Sequence, residues 1–212
     1  MKLQIALDRL SKEECLSVLE ESSSWIDWIE IGTGVIKQYG VSIIQDIKER
    51  YPGKVFVADM KTCDAGKHEA KQAFEAGADI TTVMAYADDQ TILDMLEVAK
   101  KYNKRVMVDL LGVKSKIRIE ELKKLGVDLV SLHVGKDMQQ NESLQVDVFD
   151  LVKGIEGVEV AIAGGIHLDS LESIMIKGPD ILIVGSAITG AISPGNIASK
   201  MKGMIQHFER NH

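Results

Sequence analysis

The sequence has 212 residues, of which 45% are hydrophobic and 27% are charged, values typical of a globular protein with one sizeable core. The net charge of −7 argues against a nucleic-acid-binding protein, because phosphate contacts require a basic surface. Cys15 and Cys63 lie far apart without metal-ligand spacing, so a disulfide framework is not expected. No apolar run has the length of a membrane span or the form of a signal peptide. A cytoplasmic protein that contacts neither membrane nor nucleic acid is therefore expected.

Short apolar segments rich in Val and Ile recur along the chain with amphipathic segments between them. Their starts lie roughly 22–30 residues apart, the length of one βα unit. The predicted strands are LQIAL near residue 3, DWIEI from 27, KVFVA from 54, DITTV from 79, RVMVD from 105, DLVSL from 128, VEVAI from 158 and DILIV from 180.

The segments between the predicted strands carry helix signals. Ser11 and Glu14 have the spacing of a capping box, and the segment DDQTILDMLEVAKKY has apolar residues at helical spacing. Gly77, Gly126 and Gly178 are each followed two residues later by Asp and then by a predicted strand. This repeated pattern predicts a helix end, a short turn and a strand start, a structural role at the end of the sheet away from the chemistry.

Eight βα units in one chain, with strands apolar on both faces, predict a single-domain (β/α)8 TIM barrel over residues 1–212. A doubly wound open sheet is the alternative. The first predicted strand is followed by ALDRLSKEE and not by a Gly-x-Gly-x-x-Gly segment, which disfavours a dinucleotide-binding fold.

Charged side chains occur where five of the predicted strands end, the position of catalytic residues in a parallel barrel. They are Asp8, Glu30, Asp59 with Lys61, Asp109 and His133. Asp59 and Lys61 are two residues apart, so on an extended strand both point toward the barrel mouth. Asp64 follows near the next helix start, where a helix N-cap is the alternative to a role in the site.

The carboxylates at these strand ends predict a bound cation. Asp8, Glu30, Asp59, Asp64 and Asp109 stand against few positive charges, and like charges gathered closely need compensation. An all-oxygen ligand set without cysteine suits Mg²⁺. Glu30 and Asp59, on adjacent strands, are the predicted metal ligands.

Two further features complete the predicted site. His133, at the end of the sixth strand, is a candidate general acid or base, with a satisfied core histidine as the alternative. Glycine-rich turns follow strands seven and eight, where barrels bind phosphate through backbone N–H groups. Their candidate residues are Gly164, Gly165, Gly185 and Ser186, which together favour a phosphorylated sugar as substrate.

The motif Asp59-x-Lys61-x-x-Asp64, followed by Ala-Gly, resembles the signature of the orotidine 5′-phosphate decarboxylase suprafamily. The resemblance extends over LQIALD, IEIGT, ADMKTCDAG, EAGAD, VDLLGV, AIAGGI and GPDILIVGSAIT. Within this group, the chain is similar to two sister families, the 3-hexulose-6-phosphate synthases and the 3-keto-L-gulonate-6-phosphate decarboxylases.

The resemblance implies a Mg²⁺-dependent carbon–carbon lyase, and a homodimer in which Asp64 reaches the neighbouring subunit's site. Both sister reactions pass through a cis-enediolate, which the synthase forms from ribulose 5-phosphate and adds to formaldehyde. The matches to the family site are Glu30 and Asp59 for the metal, Asp8, Lys61, Asp109 and His133 for substrate contact or proton transfer, and Gly165, Gly185 and Ser186 for phosphate.

Three positions favour the synthase: Asp109 where decarboxylases tend to have Glu, Ala163 where they have Thr, and Ser186 where they have Arg. Lys136, a candidate substrate-binding residue, instead carries a positive charge where decarboxylases have Arg. The alternatives are the decarboxylase, a related sugar-phosphate lyase, a sugar-phosphate sensor on a decayed barrel, and a metal-free phosphate-binding barrel.

Overall fold

Eight parallel strands close into a barrel in which each strand pairs with its sequence neighbours and β1 pairs with β8. The structure, a computed structural model, describes residues 1–135 and 148–211. The predicted (β/α)8 barrel is confirmed, and so is the place of each predicted strand. The strands are β1 (Lys2–Leu7), β2 (Trp28–Ile31), β3 (Val55–Thr62), β4 (Ile80–Met84), β5 (Arg105–Asp109), β6 (Leu129–His133), β7 (Glu159–Ala163) and β8 (Ile181–Val184).

Helices surround the barrel, and several of their ends follow the sequence signals. The α-helices of the described residues are α1 (Lys12–Ser22), α2 (Thr33–Tyr39), α3 (Ser42–Lys48), α4 (Gly66–Glu75), α5 (Asp89–Tyr102), α6 (Lys116–Lys124), α7 (Leu168–Met175), α8 (Ser186–Thr189) and α9 (Pro194–Asn211). The predicted capping box begins α1, where the Ser11 hydroxyl accepts from the Glu14 N–H and the Glu14 carboxylate accepts from the Ser11 N–H. Within residues 1–135 and 148–211, no helix is both long enough and apolar enough to cross a membrane.

The Gly-x-Asp pattern at the amino ends of the strands is structural, as predicted. Gly77 has a φ of 99°, a left-handed conformation that favours glycine. Asp79, two residues later, accepts a hydrogen bond from the Phe56 N–H at 2.9 Å and forms an ion pair with Lys48 at 2.7 Å. The aspartate therefore joins β3, β4 and α3 at the end of the barrel opposite the cavity.

The inner face of the barrel changes from apolar to polar along the strands. The apolar layer includes Trp28, Val57, Ile80, Met107, Leu129 and Ile181. Two residues further along each strand, the side chain again points to the inner face, and there five strands carry a polar side chain. These buried polar residues are Glu30, Asp59, Thr82, Asp109 and Ser131. The apolar layer thus supports a ring of polar groups at the carboxyl ends of the strands.

Candidate active site

A cavity of about 740 Å³ opens at the carboxyl ends of the strands. It collects charged side chains from five strand ends and the glycine-rich turns after β7 and β8, the grouping expected from the sequence. The predicted site residues that line it are Asp8, Glu30, Asp59, Lys61, Asp109, His133, Gly164, Gly165, Gly185 and Ser186.

Lys61 connects two of the buried carboxylates. Its Nζ lies 2.9 Å from Oδ1 and 2.8 Å from Oδ2 of Asp59, and 2.9 Å from Oδ2 of Asp109. Burial favours the neutral amine, but the charges of Asp59 and Asp109 outweigh it and raise the pKa of Lys61 above its ordinary value. Lys61 therefore carries a fixed positive charge inside the cavity, where it can stabilise a developing negative charge.

His133 is held by the same aspartate. Its Nδ1 lies 2.9 Å from Oδ2 of Asp109, while Oδ1 of Asp109 accepts a hydrogen bond from the Leu111 N–H at 2.8 Å. Burial alone would raise the pKa of Asp109, but the hydrogen bond from His133 and the charge of Lys61 lower it. An ionised Asp109 favours the proton on Nδ1 of His133, which leaves Nε2 as the ring nitrogen able to exchange a proton.

Glu30 is the most unfavourably placed carboxylate of the cavity. It is 9% exposed, and burial, followed by the charge of Asp59, raises its pKa to about 8. Gln4 Nε2 donates to Oε2 of Glu30 at 2.6 Å. Gln4 is itself fully buried, and its Oε1 is without a hydrogen-bond partner among the described residues. A carboxylate in this setting is stabilised in its ionised form by a cation.

Two threonine hydroxyls orient Asp59. Thr33 Oγ1 donates to Oδ2 at 2.8 Å, and Thr82 Oγ1 donates to Oδ1 at 2.9 Å. The sequence interpretation assigned no role to Thr33, Thr82 or Gln4. The available signal was a polar residue at an inward position of an apolar strand, as Gln4 in LQIAL and Thr82 in DITTV.

Asp8 lies at the rim, tied to the first turn of α2. The Gly34 N–H donates to Oδ1 of Asp8 at 2.9 Å, and Arg9 Nε lies 3.4 Å from Oδ2. A Cβ at Gly34 would come within 2.6 Å of Oδ1 of Asp8, so a larger residue there would require the Asp8 carboxylate to move. Asp8 is therefore positioned by a backbone N–H and does not cap α1, where Ser11 has that role.

The turns after β7 and β8 bring backbone to the cavity wall. Gly164 and Gly165 have φ values of 110° and 63°. A Cβ at Gly164 would lie 2.3 Å from the carbonyl oxygen of Val134, so only glycine fits there. Gly185 and Ser186 begin α8 on the neighbouring strand end. Exposed backbone N–H groups in turns of this kind suit a phosphate group.

Two predicted site residues do not join this cavity. Asp64 is exposed, accepts from the Ala65 N–H at 2.7 Å and lines a separate surface pocket with residues that include Lys67, His68 and Asp88. Asp64 therefore does not line the cavity that Asp59 and Lys61 of the same chain line. Lys136 lies outside the described residues.

The donor set at Glu30 and Asp59 fits Mg²⁺. Both carboxylates line the cavity, and the raised pKa of Glu30 indicates that a positive charge would be stabilising there. In the described part of the chain, no three His, Cys, Asp or Glu side chains are arranged to hold a metal ion. Mg²⁺ is commonly held by one or two carboxylates, with substrate oxygens and water completing an octahedral shell.

Comparisons with known proteins identify the family of this chain. Residues 1–201 match the family described as "Orotidine 5'-phosphate decarboxylase / HUMPS family". A curated relative from Bacillus subtilis (strain 168), named 3-hexulose-6-phosphate synthase, is 40% identical over 207 residues, which cover 97% of this chain and 99% of the relative. A crystal structure of 3-hexulose-6-phosphate synthase from Salmonella typhimurium has a TM-score of 0.94 and 36% identity, covering 98% of this chain and 100% of that one.

A crystal structure of 3-keto-L-gulonate-6-phosphate decarboxylase from Vibrio cholerae has a TM-score of 0.83 at 26% identity, covering 98% of each chain. Both sister families named from the motifs are thus represented among the structural relatives. The family match spans nearly the whole chain, and the relative at 40% identity is matched over almost its full length. The suprafamily resemblance is confirmed, and the chain belongs to the orotidine 5′-phosphate decarboxylase / HUMPS family.

Proposed function

We propose that this protein is a 3-hexulose-6-phosphate synthase that joins formaldehyde to D-ribulose 5-phosphate in a Mg²⁺-dependent aldol condensation, and catalyses the reverse cleavage. The observation that carries the proposal is the contact of Lys61 with both Asp59 and Asp109, beside His133 and Glu30. This arrangement supplies a fixed cation and a proton acceptor at one cavity wall. Full-length identity of 40% to a relative named as a synthase supports the choice of reaction.

In this proposal, the substrate phosphate binds the turns that contain Gly165 and Gly185, because their backbone N–H groups face an anion without a side chain in the way. Glu30 and Asp59 would hold Mg²⁺, which when bound stabilises negative charge on substrate oxygens. Asp8, at the rim, hydrogen-bonds a hydroxyl of the sugar. The carbonyl end of the substrate then lies near Lys61 and His133.

His133 moves the proton. Nε2 removes a proton from C1 of ribulose 5-phosphate, and Asp109 stabilises the resulting imidazolium through Nδ1. The charge of Lys61 stabilises the enediolate that forms. C1 of the enediolate then attacks the carbonyl carbon of formaldehyde, forming the carbon–carbon bond, and His133 returns its proton to the former formaldehyde oxygen.

The second candidate is 3-keto-L-gulonate-6-phosphate decarboxylase, which the likeness to the Vibrio cholerae structure and the lysine at position 136 favour. There, loss of CO₂ would generate the enediolate and His133 would protonate it. Asp109, Ala163 and Ser186, together with the higher identity to synthases, support the first candidate.

The proposal is tested by following formaldehyde loss with ribulose 5-phosphate and Mg²⁺, with and without EDTA. The same preparation is assayed for CO₂ release from 3-keto-L-gulonate 6-phosphate. We expect rapid formaldehyde loss that EDTA abolishes, with little CO₂ release. Rapid CO₂ release with slow formaldehyde loss would establish the decarboxylase instead, and activity unaffected by EDTA would refute the metal assignment.

A further inference from the structure

The strand that carries Asp59 and Lys61 is irregular where these residues lie. Between the pairs Ala58–Thr81 and Thr62–Val83, β3 advances by four residues while β4 advances by two, which defines a β-bulge. Within the bulge, Lys61 has a φ of 48°. A non-glycine residue adopts this left-handed conformation only where its surroundings hold it there.

Thr82, on β4 and 3% exposed, lies beside this bulge and contacts both functional residues with one hydroxyl. Oγ1 donates to Oδ1 of Asp59 at 2.9 Å and accepts from the backbone N–H of Lys61 at 2.9 Å. A threonine hydroxyl has one donor and two acceptor sites, so both bonds form at once. The single oxygen therefore fixes the carboxylate of one residue and the backbone of the other.

The direction of both functional side chains depends on this bulge. Nζ of Lys61 forms ion pairs with both Asp59 and Asp109. These contacts require Asp59 to keep its side-chain rotamer and Lys61 to keep its left-handed backbone conformation. Thr33, on α2, donates to the other carboxylate oxygen of Asp59, but within the described residues its hydroxyl makes no hydrogen bond to Lys61. Thr82 is the residue that couples the two.

We propose that Thr82 is a positioning residue that holds Asp59 and Lys61 in the geometry used for metal binding and for charge stabilisation. This inference rests on the proposed function, because it assigns Thr82 a part in the same site. Supporting groups of this kind commonly change metal affinity or activity by 10- to 100-fold when removed.

Thr81 provides a matched control on the same strand. It has the same side chain and is fully buried, but its hydroxyl lies 3.4 Å from the backbone oxygen of Ala58 and contacts neither Asp59 nor Lys61. A Thr→Val substitution at either position keeps the shape of the side chain and removes the hydroxyl. The comparison separates the loss of any buried hydroxyl from the loss of this one.

The test compares Thr82→Val, Thr82→Ser and Thr81→Val in the full chain. We expect Thr82→Val to lower kcat about 10- to 100-fold with a much smaller change in KM, and to weaken Mg²⁺ binding in calorimetry by about tenfold or more. Thr82→Ser keeps the hydroxyl and is expected to stay within about threefold of wild type in both measurements. Thr81→Val should match wild type. If Thr82→Val does not fold, Thr82→Ala replaces it in every arm.

Three outcomes overturn the inference: wild-type kcat and Mg²⁺ affinity in Thr82→Val, equal losses in Thr82→Val and Thr81→Val, or equal losses in Thr82→Val and Thr82→Ser. A wild-type protein without synthase activity would overturn the proposed function separately. Crystal structures of wild type and Thr82→Val would then decide the role of Thr82. A shifted Asp59 carboxylate with Lys61 outside the left-handed region supports it, and unchanged geometry refutes it.

Discussion

Glu30 is expected to destabilise the metal-free protein at neutral and alkaline pH, and its neutral replacement is expected to relieve this. The carboxylate is buried beside Asp59, and its hydrogen bond from Gln4 does not supply a full positive charge. Glu30→Gln keeps the size of the side chain and removes the ionisable group. In EDTA at pH 8, Glu30→Gln should therefore be more stable than wild type.

The magnitude follows from the raised pKa. Burial, with the charge of Asp59, moves the pKa of Glu30 from 4.5 to about 8, and a tenfold change in proton affinity corresponds to about 1.4 kcal/mol. Because the folded protein binds this proton more tightly than the unfolded chain, the destabilisation is absent below pH 4.5 and grows as the pH rises toward 8. The expected penalty is about 1 kcal/mol at pH 5, about 3 kcal/mol at pH 7 and about 4 kcal/mol at pH 8.

Urea unfolding of wild type and Glu30→Gln at pH 5 and pH 8 measures this difference, since titrating groups that do not interact with Glu30 are common to both proteins and cancel. Glu120→Gln, which removes an exposed carboxylate on α6, serves as the control and should match wild type at both pH values. Adding Mg²⁺ at pH 8 should stabilise wild type and leave Glu30→Gln unchanged, because a ligand stabilises only the form that binds it. A Glu30→Gln protein less stable than wild type at pH 8, or a difference independent of pH, would refute the reasoning.

Three further predictions concern other parts of the site. Asp8→Ala removes the carboxylate that accepts from the Gly34 N–H and is proposed to hydrogen-bond a sugar hydroxyl, so kcat/KM should fall about tenfold or more in steady-state assays, and an unchanged value would contradict this. His133→Gln should slow exchange of the C1 proton of ribulose 5-phosphate with deuterium by about 10²–10⁴-fold, whereas exchange at the wild-type rate would remove His133 from proton transfer. Inactive Lys61→Ala and Asp64→Ala proteins, once mixed and allowed to exchange subunits, should regain about a quarter of wild-type activity if the sites of a homodimer are shared. A mixture that stays inactive despite subunit exchange would contradict the shared site.

Much of the fold was predictable because its signals are local. Each strand is a short apolar run bounded by a turn, and Gly126, with a φ of 97°, ends α6 just before β6 as the Gly-x-Asp pattern predicts. The choice of a closed barrel over an open sheet followed from the number of βα units and from strands that are apolar on both faces. The ring of charges at the cavity followed from the fold, since parallel strands bring their carboxyl ends to one side.

The local geometry at Lys61 was not predictable from the same signals. Strand alternation places Asp59 and Lys61 on one face, and they do contact each other, but through a bulge in which Lys61 is left-handed. Alternation assumes a regular strand, and the irregularity depends on Thr82 from β4. The position of Asp64 was not predictable from local sequence either. Asp64 is close to Lys61 in sequence, but it does not line the cavity of its own chain.

Glu30 shows why a sequence can indicate a cation without revealing what else supports the site. Glu30 lies between Ile29 and Ile31 in a strand that is covered on both faces. Its burial could therefore be predicted from the local sequence, as could the cost of an unpaired charge there. Its hydrogen-bond partner could not be identified locally, because Gln4 lies 26 residues away on the adjacent strand. An amide donor stabilises a buried carboxylate less than a full positive charge does, and Lys61 is already shared between Asp59 and Asp109. The remaining compensation is either the proton that the raised pKa of Glu30 retains or the cation proposed to bind beside Asp59. The stability of the protein with and without EDTA distinguishes these two, and is therefore a more direct test of the proposed metal site than activity alone.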